Sequence, residues 1–475
     1  MLKLTLLFLT ALLTGCAASS SNEPTETGGD DQSGLLTTSD PALQAIWYSA
    51  AYGELIDLRR ASPAYYEVSG ESCVAIETEA SFIDEYFDKF RLADNGNELL
   101  LSADVEPYEY RFIRLPEMLA ACRSTVPDTP AGNFQVFTDA FSAFYPFFDR
   151  YDVSWTKRVA EAGQKVEADM PPRAPFTLFR EMLAGLRDAH VELVVELDDG
   201  RTTFDANPGK TERGLFRRAV AAGQNPMKVR AEYRRKFWRQ DTQQTLLGGA
   251  GVMAGDEAIQ FGIVSDDIGM IALLTMGGFI EAEGETESEV LERALDEAMA
   301  LFEAHSVKAV IVNLAMNYGG YDYISRQLAR RFARESVRAY SKISANDPDA
   351  KPFWYVIEPA EQPRFTGPVY LLTSDVTVSA GEIATLAMRP MSNVTHVGET
   401  TRGALSDVLS RSLPNGWELS LSSEIYRDHE DVLWEARGIP PKISIPVFDP
   451  NDPLNGYLDA VSQLVKLIDG RHPQR

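Results

Sequence analysis

The chain has 475 residues, 44% hydrophobic and 10% aromatic, which is enough for several packed cores and excludes a wholly disordered protein. Its formal charge of −25 argues against binding nucleic acid or an anionic membrane through a basic patch, so an uncharged or cationic partner is expected.

Lys3, the apolar run Leu4 to Leu12 and Gly15 before Cys16 read as a targeting signal over residues 1–15, too short to span a bilayer stably. Leu13-Thr14-Gly15-Cys16 resembles the lipobox of bacterial lipoproteins, which implies cleavage before Cys16, lipidation of that cysteine and a place in the cell envelope facing the periplasm or exterior; a secretory signal with an incidental cysteine is the alternative. Ala17 and Ala18 lack the aspartate linked with inner-membrane retention, which favours the outer membrane. Residues 16–40 are rich in Ser, Thr, Gly, Glu and Asp, the composition of a flexible tether. Short strand and turn patterns then mark a small β-rich domain over 41–125, with a helix-like stretch from Phe82 to Arg91. Cys73 and Cys122 are the only cysteines after Cys16, and in an oxidising compartment they are expected to pair; two separate buried thiols are the alternative.

Phe134, Phe137, Phe141 and Phe144 fall at helical spacing and open a helical unit over 130–190, read as core packing and ending in Asp188-Ala189-His190. A strand (VELVVEL), the turn at Asp198-Asp199-Gly200 and a mixed region follow; its basic segment from Arg213 to Arg239 reads as packed helix with solvated cations. From Gly269 strands and helices alternate: strands at Gly269–Leu274, Ala309–Leu314 and Val369–Thr373, helices at Thr286–His305, Asp322–Ala333 and Gly381–Met388. Alternation of this kind predicts a layered α/β domain, here 191–475, within a chain that is α+β overall.

Thr377-Val378-Ser379-Ala380-Gly381-Glu382 joins the last of these strands to its helix. A serine there has unpaired amides and the positive end of a helix dipole beside it, which suits a nucleophile; a plain N-cap serine is the alternative. The hydroxyl needs a base, and of five histidines His190, at a helix-to-strand corner, is best placed to face a cleft, although a structural role is open. Gly319 and Gly320, with the amide of Ala380, offer donors for an oxyanion, or the glycines form only a tight turn. Glu435 in EARGIPP is a further candidate whose ordinary reading is a solvated surface carboxylate. No dinucleotide fingerprint, P-loop or metal-ligand pattern is present, so neither cofactor nor metal is expected.

From about Phe134 onward these pieces together resemble the tail-specific, or carboxy-terminal processing, serine peptidases, in the branch that includes the tricorn core. LRDAH is similar to the family's histidine motif, NLAMNYGG to its oxyanion segment and TVSAGE to its nucleophile motif. GETTRGALSD, LPNGW and EARGIPP look like the later blocks. The resemblance implies a crotonase-like α/β peptidase domain that cleaves peptide or protein substrates. It assigns Ser379 as nucleophile, His190 as general base and then acid, Glu435 as a polarising or orienting partner, and Gly319 or Gly320 with Ala380 as the oxyanion hole. The lysine of the family's Ser–Lys enzymes would stand 25 residues after the serine, where this chain has Ala404. Asn313 and Ala315 replace the family's usual Asp and Arg, Ala189 replaces a serine, and no PDZ-like insertion is evident. These departures keep open a pseudo-peptidase that binds peptides or an envelope partner without cutting them, and an ester or amide hydrolase is a third reading.

Overall fold

The computed structural model describes residues 40–60, 63–76, 87–198, 200–347, 349–449 and 455–471. The targeting segment, Cys16 and the tether lie outside the described residues, as does the first half of the helix expected from Phe82. The second half is a strand: Lys89 to Leu92 alternates outward Lys and Arg with inward Phe90 and Leu92, the period of an edge strand rather than of a helix.

Seven antiparallel strands form the N-terminal sheet: β1 (Ile46–Ser49), β2 (Glu54–Asp57), β3 (Ala64–Ser69), β4 (Ser72–Ile76), β5 (Lys89–Leu92), β6 (Glu98–Ala103) and β7 (Glu106–Leu115). Their order is β4-β3-β2-β1-β7-β6-β5. Cys73 on β4 is disulfide-bonded to Cys122, with Cα atoms 5.0 Å apart. Helices α1 (Pro130–Phe144), α2 (Trp155–Gly163) and α3 (Arg173–Leu183) follow. Thr129 caps α1 by accepting from the Gly132 amide, and Pro130 at the first helical position lacks the donor that would go unmet there. The aromatic stripe of α1 is core: Phe137 stacks on Phe179 of α3 at 4.2 Å, and Phe141 packs on Trp155.

Strands β8 (Glu192–Leu197) and β9 (Gly200–Asp205) form a hairpin, followed by α4 (Gly209–Ala221), α5 (Pro226–Arg235) and a π-helical stretch at Lys236–Leu246. The main sheet is built from β10 (Val252–Ala254), β11 (Ile259–Ser265), β12 (Ile268–Leu273), β13 (Ala309–Asn313), β16 (Val369–Thr373), β17 (Val394–Gly398) and β21 (Ile443–Ser444), paired in that order and parallel from β12 onward. Between them run α6 (Glu287–Ala304), α7 (Asp322–Arg330), β14 (Val337–Ser344), β15 (Phe353–Ile357) and α8 (Ala380–Met388). Strands β18 (Val408–Ser412), β19 (Glu418–Ser422) and β20 (Glu424–Asp428), then α9 (Tyr457–Arg471), complete the described chain. β18 and β19 pair with β8 and β9, while β20 joins β14 and β15.

The strands' period of two sorts side chains between the faces of the main sheet. Ile271, Leu273, Val310, Val312, Val369 and Leu371 pack with α6, α7 and α8. Met270, Ala272, Ile311, Tyr370 and Leu372 pack with α9 and the α5–π segment. Burial on both faces explains why these strands read as unbroken apolar runs. The N-terminal sheet is fastened to this α/β body by buried Arg411, which donates to the Tyr52 carbonyl and to Glu54, and by Arg326, which donates to the Val105 carbonyl and Glu106.

Candidate active site

Beyond β16 the chain turns sharply, and the turn is tied to the loop after β13 by two hydroxyls. Ser374 donates to the Ala315 carbonyl at 2.5 Å and Thr377 to the Leu314 carbonyl at 2.7 Å. Ser379 follows at φ 55°, ψ −127°, a conformation that costs a non-glycine residue about 1–3 kcal/mol and persists only where surroundings enforce it. The constraints are visible: the Ser379 amide donates to the Ala404 carbonyl at 3.0 Å, and its carbonyl accepts from the amides of Glu382 and Ile383. Although Ser379 occupies the cap position of α8, its hydroxyl makes no capping bond. The cap explanation therefore does not account for this serine.

Gly319 lies directly against it. A β-carbon built on Gly319 would sit 2.7 Å from Ser379 Cβ and 3.3 Å from its Oγ. The three expected oxyanion donors separate here. The Gly319 amide is committed to Asn317 Oδ1 at 3.0 Å, because Asn317 closes a side-chain turn over it. Gly319 thus supplies room rather than a donor. Among the described residues the amides of Gly320 and Ala380 have no protein acceptor, Ala380 because it opens α8. Asn317 also fixes the turn to β12 through the Leu273 carbonyl, and its own carbonyl accepts from the Val378 amide.

His190 is buried at the corner between α3 and β8, and Ala189 beside it contacts Val378 and Ala404, so the histidine corner and the serine turn meet. Asp188, itself buried, accepts from the His190 amide at 2.9 Å and from the Tyr145 hydroxyl at 3.0 Å. Ser420 Oγ donates to the His190 carbonyl, and Ser422 Oγ stands 3.5 Å from Nδ1 of the ring. Burial lowers the histidine's pKa below its usual value, opposed by the charges of Asp188 and Asp407. The shift favours the neutral ring, the form that accepts a proton.

Glu435 is fully buried, not the solvated carboxylate of the ordinary reading. Its Oε2 accepts from the amides of Leu405 and Ser406, while Oε1 has no hydrogen-bond partner among the described residues. Burial, then the charge of Asp188, pushes its pKa well above the carboxylate range. Ala404, at the position of the Ser–Lys enzymes' lysine, contributes its backbone to the brace on Ser379. The nearby Lys342 is no substitute: burial alone would lower its pKa, but Asp407 and Glu424, at 2.6 and 3.1 Å, hold it well above normal as a fixed cation. The exchange of the family's Asp and Arg for Asn313 and Ala315 leaves no gap. Asn313 Nδ2 donates to the Tyr457 hydroxyl at 2.7 Å, Oδ1 accepts from the Ala315 amide, and Tyr457 continues to Thr242.

The sequence reading missed Asp188, Ser422, Asn317 and Glu382. Asp188 and Glu382 lie inside the quoted motifs, two residues before the histidine and three after the serine, and spacing alone could have flagged them. Ser422 and the pairing of Asn313 with Tyr457 depend on contacts between distant segments and leave no local signal. No group of three or more His, Cys, Asp or Glu side chains among the described residues is arranged to hold a metal ion.

Comparison with curated proteins found no significant match. Among solved structures the chain is similar to a Parabacteroides merdae protein provisionally assigned as a peptidase: 22% identity, TM-score 0.56, covering 73% of this chain and all of that one. It is also similar to mature CPAF (13% identity, TM-score 0.52, 74% and 99% coverage) and to mature CPAF complexed with lactacystin (12% identity, TM-score 0.51, 73% and 100% coverage). At these identities the likeness establishes a shared fold. The stretch 267–445, which contains Ser379, Gly319, Gly320, Ala380 and Glu435 but not His190, matches the model of peptidase family S41.

Proposed function

We propose that this protein is a serine endopeptidase that cleaves peptide bonds through an acyl-enzyme on Ser379. The observation that carries the reading is a serine held at positive φ on a strand-to-helix turn, its hydroxyl unused for capping, beside two amides that have no protein acceptor among the described residues. In this account His190 takes the Ser379 proton as Oγ attacks the scissile carbonyl, and the amides of Gly320 and Ala380 donate to the oxygen that gains negative charge. The protonated imidazole then gives its proton to the departing amine. Water, deprotonated by the same ring, hydrolyses the ester and restores both residues. Glu435, whose pKa burial raises, holds the 405–406 backbone that flanks the turn.

The protein is further proposed to be lipidated on Cys16 and to face the periplasm or the exterior, the outer membrane being favoured. A disulfide between Cys73 and Cys122 accords with an oxidising compartment. Incubation with an unfolded protein such as alkylated casein tests the activity. Fragments are expected from wild type and from neither Ser379→Ala nor His190→Ala. Equal fragmentation by wild type and Ser379→Ala would refute the assignment. Folded wild type that retains casein peptides without cutting them would instead establish the peptide-binding reading.

A further inference from the structure

Three residues beyond the nucleophile, Glu382 is a fully buried carboxylate in the first turn of α8. Its oxygens accept from the Thr401 hydroxyl at 2.5 Å and from the amides of Gly403 and Ala404, both at 2.8 Å. The segment it grips touches the serine turn on one side: the Ala404 carbonyl takes the Ser379 amide and the Arg402 amide donates to the Thr377 carbonyl. On its other side it meets the Glu435 loop. The Gly403 carbonyl accepts from the Ala436 amide, and the Thr401 hydroxyl accepts from the Ile439 amide at 2.7 Å. The two backbones are packed too tightly for side chains, since a β-carbon on Gly403 would lie 2.6 Å from the Gly438 nitrogen. One carboxylate therefore joins the nucleophile turn to the loop bearing Glu435.

We propose that Glu382 is a positioning residue for the reaction read above: by clamping residues 401–404 it makes the Ala404 carbonyl hold the Ser379 amide, and so keeps the serine in its strained attacking conformation. An ionised carboxylate alone satisfies all three donors. A proton on either oxygen weakens the carboxyl as an acceptor for these donors, and Gln, whose amide nitrogen accepts nothing, sets a donor against an amide N–H permanently.

Burial raises the pKa of Glu382 to about 7 against the hydrogen bonds from Thr401, Ala404 and Gly403 and the charge of Arg402. Glu435, from the opposite loop, is the other ionisable group facing it. Below about pH 7 the clamp loosens while His190, lowered by burial, is still a competent base. The sign for stability is opposite. A carboxyl whose folded pKa is raised favours the folded state fully below its unfolded pKa and loses that contribution as pH rises toward 7. The ionised side chain is thus retained at a cost to stability.

The test compares wild type and Glu382→Gln in two measurements. In the first, the rate of fluorophosphonate labelling is followed across pH. The variant is expected to label at least about tenfold more slowly at pH 8 while still unfolding cooperatively, and its acid limb is expected to move from near 7 down to that of His190. A wild-type rate, or a limb that stays in place, overturns the proposal. In the second, hydrogen exchange of peptides covering 377–382 and 401–406 is expected to quicken in the variant, whereas unchanged exchange overturns the clamp whether or not the protein is labelled. Should wild type never label while exchange responds, the peptidase reading fails and the clamp stands. Thr401→Val removes one of the three donors and keeps the charge, so it is expected to slow labelling by less and, because the Thr401 hydrogen bond lowers the pKa of Glu382, to move the acid limb to higher pH; an unmoved limb there counts against Glu382 as its source.

Discussion

Replacing Gly319 by alanine perturbs the nucleophile without altering any group assigned to chemistry. The residue sits at φ +83°, which costs an L side chain about 1–2 kcal/mol. The added carbon would lie 2.7 Å from Ser379 Cβ and 3.1 Å from the Val378 carbonyl oxygen. Carbon atoms rest about 3.5–4.0 Å apart, so the two turns must separate by about 1 Å, at a further 1–3 kcal/mol for overpacking. Together these predict a loss of about 2–5 kcal/mol in stability. Displacement of the reacting hydroxyl by about 1 Å is worth about a hundredfold in rate. Thermal unfolding and the rate of fluorophosphonate labelling measure the two effects separately. Gly416→Ala is the control: at φ +80° with nothing within 4 Å of the added carbon, it incurs the backbone cost alone and keeps its labelling rate. Wild-type labelling by a folded Gly319→Ala protein would refute the claim that this glycine is there to make room for Ser379.

Further outcomes follow from the same contacts. Changing Cys73 and Cys122 to Ser opens a link between residues 49 apart in sequence, and a chain-entropy estimate puts the loss near 4 kcal/mol; denaturant unfolding should show it, while labelling in native buffer is retained. Tyr457→Phe leaves the buried Asn313 amide without its acceptor, which predicts about 1–3 kcal/mol of destabilisation in the same assay; no change would mean that the Asn313–Tyr457–Thr242 chain does not replace the family's charged pair. Cys16→Ser is expected to move the protein from the membrane fraction to the soluble fraction of cells that express it, and a variant that stays in the membrane fraction counts against lipidation at that residue.

Legibility from sequence followed the range of the interactions. The parallel core could be read because strands buried on both faces leave unbroken apolar runs such as Val369 to Thr373, and the helices between them keep one buried stripe. The short strands β1 and β2 escaped notice, since four residues carry too little periodicity. Lys89 to Arg91 fell within the helix-like stretch because the register of this strand depends on pairing with β6, which no local pattern encodes. At the site, Ser379, Gly320 and Ala380 are marked by chain geometry at element ends. Gly319 was only half understood: its need for positive φ is visible in sequence, but the capture of its amide by Asn317 is not. Glu435 looked like any surface glutamate until the fold enclosed it.

The central claim is that Ser379 is an activated nucleophile served by His190. Labelling the purified chain with a fluorophosphonate probe and locating the adduct by peptide mass spectrometry tests it most directly. A single adduct on Ser379, strongly reduced in His190→Ala, is the predicted result. An adduct on another serine, or labelling of Ser379 that is indifferent to His190, would contradict it.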